Sequence, residues 1–158
     1  PSHAQTPGRL TMTDMGNFNV LVDYAHNKAG YDALIDFVSS YNPEKVIMTL
    51  CVPGDRRDED FESIAESCAK YVDTTVLFES YLRGLDEGEL SEKLKKYLIK
   101  HGMTEDQIII IYDEQEAVQY CLDAGGEYDF VILSNYDIDD THSKVQAHKE
   151  KLEQEKSA

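Results

Sequence analysis

Four short segments combine residue types that could do chemistry, and they fall at the opening of the chain or just after apolar runs. Asp23-Tyr24-Ala25-His26-Asn27 puts a carboxylate, an imidazole and an amide where a strand passes into a helix, so these groups could meet a ligand together with the first-turn N–H groups. The same residues also read as an asparagine N-cap with His26 in the loop. Pro53 to Asp60 sets Arg56 and Arg57 among the carboxylates of Asp55, Asp58, Glu59 and Asp60. Guanidinium forks clasp phosphate or carboxylate with two bonds, and nearby aspartates can hold the forks in place. A merely solvated helix start suits Asp58 to Asp60 but not two arginines, because positive charge is unfavourable at a helix N-terminus. In Glu79 to Glu89, Arg83 is the cation of an acidic loop; it could clamp an amino acid's carboxylate or simply balance local charge. Arg9, in Pro7-Gly8-Arg9, could reach a nucleotide phosphate or sit on the surface.

Several chemistries are not supported. There is no G-x-x-x-x-G-K-S/T loop to cradle a triphosphate and no G-x-G-x-x-G fingerprint. The histidines and cysteines show no zinc spacing, and no serine nucleophile elbow is present.

The elements that must position these segments alternate in type. Leu10 to Met15 and Asn19 to Tyr24 read as strands around a Gly16-Asn17 turn. Lys45 to Cys51, Thr74 to Phe78, Gln107 to Tyr112 and Asp129 to Leu133 read as buried strands separated by helical segments, the βαβ pattern of a mostly parallel sheet. The helical stripes are Ala33, Leu34, Phe37, Val38; then Phe61, Ile64, Ala65, Cys68, Ala69, Val72; then Leu90, Leu94, Tyr97, Leu98; then Ala117, Val118, Cys121, Leu122. The continuously apolar Ile108 to Ile111 suggests a central strand covered on both faces. Residues 140–158 read as a weakly packed, fraying terminal helix anchored by Val145, Ala147 and Leu152, with Lys149–Glu153 and Lys151–Glu155 pairs. In such sheets ligands bind beyond the carboxyl ends of the strands, where three of the four segments fall.

The bulk composition fits one domain: 158 residues with 41% hydrophobic content can fill a single core. Thirty-one acidic against 15 basic residues give a formal charge of −16, so nucleic acid and anionic membrane are not expected partners. The three cysteines read as reduced core residues, and no leader or membrane-spanning run is evident, which makes a cytoplasmic location the expectation.

The motifs Pro7-Gly8-Arg9, Asp23 to Asn27 and Gly54 to Asp58 occur in the order and spacing of Mur ligase C-terminal domains, which this chain resembles. Arg83-Gly84 and Gly88-Glu89 are most similar to the cyanophycin synthetase branch. The resemblance implies a three-layer, Rossmann-like α/β domain with a mostly parallel sheet and an N-terminal antiparallel hairpin strand, with residues 1–6 the remnant of an interdomain linker. It further implies a lid over ATP and Mg2+, which a central ATPase domain would mainly hold, in an acyl-phosphate route to an amide. Carried over by position, Arg9, Asp23 and His26 would lie beside ATP with Tyr24 and Asn27 on the same wall, and Arg83 would bind the incoming amino acid, which could be arginine. Asp55, Arg56, Arg57 and Asp58 would border the cleft. None of these is a sufficient catalyst alone, and the isolated chain would be inactive; the alternative is a stand-alone module that binds a nucleotide or amino acid. Two departures stand out: Lys28 occupies a position where the family usually has proline and could add a phosphate contact, and Ser134 to Asp137 carries no family signature.

Overall fold

The computed structural model describes residues 10–157. β1 (Thr11–Asp14) and β2 (Asn19–Asp23) pair antiparallel, with Thr11 opposite Val22 and Asp14 opposite Asn19. The chain then alternates through α1 (Lys28–Ser39), β3 (Val46–Leu50), α2 (Asp58–Ala69), β4 (Thr74–Leu77) and α3 (Glu89–Lys100). It continues with β5 (Ile108–Ile110), α4 (Glu114–Ala124), β6 (Phe130–Ser134) and α5 (Ile138–Ser157). The strands lie in the order β1-β2-β6-β3-β4-β5, and every pairing after the first is parallel. Helices cover both faces: α1, α2 and α3 pack in succession, while α4 and α5 pack on each other and against β3 and β2. This is the three-layer α/β architecture expected from the sequence.

β3 and β6 form the middle of the sheet, and all ten of their residues, Val46–Leu50 and Phe130–Ser134, are buried. Successive side chains point to opposite faces, so a strand covered on both sides has no exposed register. β5 differs from expectation. It lies at the sheet edge beyond β4, and Ile109 and Ile110 are only half-buried. The number of neighbouring strands is set by chain topology, which local composition does not encode.

Two helical faces are also shifted. On α1 the buried residues are Tyr31, Leu34 and Val38, whereas Ala33 is exposed. On α5, Thr141, Val145 and His148 are buried with Leu152 against the core, and Ala147 faces outward. That spacing keeps the small apolar surface of α5 on one stripe, and the helix runs unbroken to Ser157. Neither predicted lysine–glutamate pair is closed among the described residues; Gln146 instead reaches Glu150 at 3.2 Å.

One glycine is fixed by close packing. A Cβ on Gly54 would lie 1.9 Å from the Leu82 carbonyl oxygen, and the Gly54 N–H donates to the Tyr81 carbonyl at 2.9 Å. The segment after β3 and the segment after β4 are therefore in backbone contact, which no larger residue at position 54 would permit.

Candidate functional site

The exits of β2, β6, β3 and β4 open together along the carboxyl edge of the sheet, and they carry the predicted residues within the described range. Arg9 lies outside the described residues. Asp23 ends β2 opposite Ser134, is half-buried, and its carbonyl accepts the Asn135 N–H at 3.3 Å. Ala25 is buried, which turns Tyr24 and His26 outward; their rings lie 6.0 Å apart. Asn27 has extended backbone and its Oδ1 accepts the Gly30 N–H at 2.8 Å. Asn27 is thus the N-cap of α1, one of the two readings the sequence left open. The Lys28 and Ala29 N–H groups, the first two of the helix, have no intrahelical acceptor.

The segment after β3 divides its charges among neighbours. Arg57 caps α2 and clasps the Asp60 carboxylate through Nε and Nη2, both at 3.2 Å, while Glu59 stands 3.7 Å away. A solvated helix start, which two adjacent arginines fit poorly, nonetheless holds Arg57, because its positive charge is cancelled locally. The Arg57 guanidinium correspondingly holds the Asp60 carboxyl below the usual carboxylate range. Asp58 pairs with Lys93 of α3 at 2.6 Å, and Asp55 pairs with Arg83 at 3.1 Å. Arg56 instead lines a cleft of about 470 Å³ between the first turns of α1 and α2, with His26, Asn27 and Lys28 on the opposite wall. Lys28 itself bridges α1 and α2, its Nζ donating to Ser67 Oγ of α2 at 2.9 Å and to Asp32 Oδ2 of α1 at 3.1 Å.

The loop after β4 holds Arg83 in an unusual backbone shape. Tyr81 and Arg83 both have φ of 52°, in the left-handed region that non-glycine residues rarely occupy, and the Arg83 guanidinium lies 5.2 Å from the Tyr81 ring centre. Glu79, at the start of this loop, accepts the N–H groups of Gly88 and Ser91 at 2.9–3.0 Å and so caps α3 from outside the helix.

The β6 exit, where the sequence offered no signature, is the most heavily bonded part of the edge. Glu114 Oε2 accepts from Asn135 Nδ2 at 3.0 Å, from the Tyr136 N–H at 2.7 Å and from the Asp137 N–H at 2.9 Å. Thr49 Oγ1 donates to Asn135 Oδ1 at 2.8 Å and accepts the Ser134 N–H at 3.1 Å; Tyr31 and Ser134 share a buried hydroxyl contact at 3.0 Å. The Tyr136 hydroxyl donates to the Cys51 carbonyl at 3.1 Å, and its ring meets Tyr24, Phe78 and Tyr81 edge-on. Burial pushes the Tyr136 phenol and the Tyr31 phenol far above the usual range and the Cys51 thiol up to about 12, so none of them ionises near neutrality. A second cleft, lined by Ser80, Tyr81, Glu114, Tyr136, Asp137 and Asp139, opens beside them.

The structure therefore gathers the sequence candidates into two neighbouring groups. His26 and Arg56 face the α1–α2 cleft, while Arg83 and Asp55 form a pair on the β4 side, and Tyr136 stands between. Arg57 and Asp58 are engaged in local or helix–helix pairs. Tyr136 and Glu114 were missed from sequence because their partners come from distant segments; a tyrosine just past a fully apolar strand was the available signal. No group of three or more His, Cys, Asp or Glu residues is arranged for a metal ion among the described residues.

Comparison with known proteins bears on this geometry. A family model described as "Mur ligase, glutamate ligase domain" matches residues 8–134. A cyanophycin synthetase from Nostoc sp. is 35% identical over 135 residues, covering 84% of this chain and 15% of that protein, so the chain spans a small fraction of the relative's length. A UDP-N-acetylmuramoyl-L-alanyl-D-glutamate–2,6-diaminopimelate ligase structure superposes with a TM-score of 0.70 at 18% identity, over 90% of this chain and 32% of that one. A bifunctional folylpolyglutamate synthase/dihydrofolate synthase from Yersinia pestis, complexed with AMPPNP and a manganese ion, gives 0.63 at 17% identity, over 90% and 31%.

Proposed function

This chain belongs to the Mur ligase family as its C-terminal, glutamate ligase domain, and from that premise we propose that it is the lid of an ATP-dependent amide ligase of the cyanophycin synthetase type. The observation that carries this reading is the shared edge: a cleft bearing His26 and Arg56 on the β2–β3 side, and the Arg83–Asp55 pair on the β4 side. Phosphoryl transfer from ATP to a carboxylate, followed by attack of an amine on the acyl phosphate, depends on positioning and charge stabilisation. Arg56 and the open N–H groups of Lys28 and Ala29 supply positive potential for a phosphate, with His26 beside them and Asp23, Tyr24 and the Asn27 cap shaping the wall. Arg9 belongs to the same nucleotide side by its place in the motif.

Arg83 would take the carboxylate of the incoming amino acid by exchanging it for Asp55, a partner of the same chemistry. Asp55, released from Arg83 by that exchange, would leave a carboxylate beside the bound amino acid, which suits a cationic one such as arginine. Among the described residues no group of three or more His, Cys, Asp or Glu is arranged for a metal ion; Mg2+ would be held mainly by the central domain.

Joining the chain to the ATP-binding central domain of such a ligase should restore ATP-dependent amide formation. In that protein Arg83→Ala should raise KM for the amino acid roughly tenfold or more, the loss of a charged hydrogen bond, with KM for ATP little changed. Unaltered amino-acid kinetics would remove Arg83 from the substrate site. Tight calorimetric binding of ATP or arginine to the chain alone would favour a stand-alone binding module instead.

A further inference from the structure

The two halves of the proposed site meet at one side chain. Tyr24, next to His26 on the β2 side, and Tyr81, next to Arg83 on the β4 side, lean edge-on against Tyr136 with ring centres 5.6 Å and 5.0 Å away. Tyr136 is fixed from three directions. Its hydroxyl is bonded to the Cys51 carbonyl, its ring meets Phe78 at 6.0 Å, and its N–H is held at 2.7 Å by a carboxylate that also gathers Asn135 and Asp137. Hydrogen bonds to an ionised acceptor are roughly twice as strong as neutral ones, so Glu114 anchors the β6 exit.

The loop on the other side is in the opposite condition. Tyr81 and Arg83 sit at positive φ, a backbone state that persists only where surrounding contacts hold it. Those contacts include the Tyr136 ring, the Gly54 N–H on the Tyr81 carbonyl, the Asp55 pair, and Leu82 and Leu85 packed against the core.

We infer that Tyr136, anchored by Glu114, is a positioning residue that couples the Tyr24–His26 wall to the Tyr81–Arg83 loop, so that filling one half sets the geometry of the other. The identity of the two ligands rests on the ligase reading; the coupling itself does not. Tyr136 acts through its neighbours and is assigned no contact with the reacting atoms.

The test uses the 158-residue chain with isotope-labelled tyrosine rings. Tyr24→Leu should move the NMR signals of the Tyr81 ring when Tyr136 is present and leave them unmoved in a Tyr136→Leu background. Tyr136→Phe keeps the ring and should keep the transmitted shift, which separates the coupling from a general loss of fold. Glu114→Gln, which removes no ring but weakens the anchor on the Tyr136 N–H, should reduce it. With the central domain joined, Tyr136→Leu should raise KM for nucleotide and amino acid together by roughly two- to twelvefold, the range of aromatic-pair energies, while Tyr136→Phe restores both. A Tyr81 response to Tyr24→Leu that is the same with and without the Tyr136 ring overturns the coupling. A joined wild-type protein that forms no amide from any amino acid overturns the ligase reading instead, and the ring signals then decide the coupling by themselves.

Discussion

The exits of β2 and β6 are adjacent, parallel and of similar length, yet they are built in opposite ways. The β6 exit is interlocked: Ser134 and Asn135 are buried and share Thr49, while Glu114 gathers three donors from Asn135 to Asp137. At the β2 exit, Tyr24 and His26 are exposed, and Asn27 makes one capping bond. The difference teaches how one sheet edge can combine a rigid frame with exposed polar groups. Groups that meet no ligand are satisfied inside the protein, where an unpaired polar atom is costly, and they hold a frame. Groups left facing water keep their bonding capacity for whatever enters the cleft.

The largest expected effect comes from breaking the interlocked side. Thr49→Val removes the hydroxyl that serves both Asn135 and Ser134, leaving a buried amide oxygen and a buried N–H short of a partner. A loss of about 2–3 kcal/mol in unfolding free energy is expected from such orphaned groups, measured by urea titration. A loss under about 0.5 kcal/mol, the size of an ordinary surface change, would show that this exit is not held by the Thr49 network.

The open side should respond less. Asn27→Ala removes the α1 cap and should cost about 1 kcal/mol, whereas Asn27→Asp or Asn27→Ser should cost little. Equal destabilisation by all three would mean that Asn27 matters for something other than its cap.

The smallest effect sharpens the contrast through charge. Arg57 depresses the Asp60 pKa in the folded state, so this pair stabilises the fold fully above the unfolded aspartate pKa and progressively less as pH falls through the folded value. Asp60→Asn should therefore lower the melting temperature slightly at neutral pH, and its difference from the wild type should close as pH falls below about 4, the ordinary aspartate range. A change at neutral pH in nucleotide affinity but not in stability would instead tie Asp60 to the α1–α2 cleft, whose lining includes it beside Arg56.

Much of this was legible in the chain. The β2 exit announces itself because its parts are contiguous: a buried strand, a polar turn and a cap fall within nine residues, Asn19 to Asn27, and local periodicity with capping chemistry suffices to read them. The β6 exit does not. Tyr136 bonds to Cys51, 85 positions away, and to Glu114, 22 away, so its environment exists only after the sheet has formed. The same limit applies to Arg57 and Arg56, adjacent in sequence and alike in charge. Which of them closes on Asp60 and which faces the cleft depends on how α2 begins against the rest of the edge.

The amino-acid sequence determined the alternation of strands and helices, the buried faces of β3 and β6, and the motifs that place Asp23 to Asn27 and Gly54 to Asp58 at strand ends. These follow from short-range periodicity and turn chemistry, which neighbours along the chain decide. Only the tertiary structure decided that β5 lies at an edge, that Ala147 faces water while His148 is buried, and that Tyr136 stands between the Tyr24 and Tyr81 rings. Those outcomes depend on strand order and on contacts between residues far apart in the chain, and such contacts are selected by the packing of the whole domain.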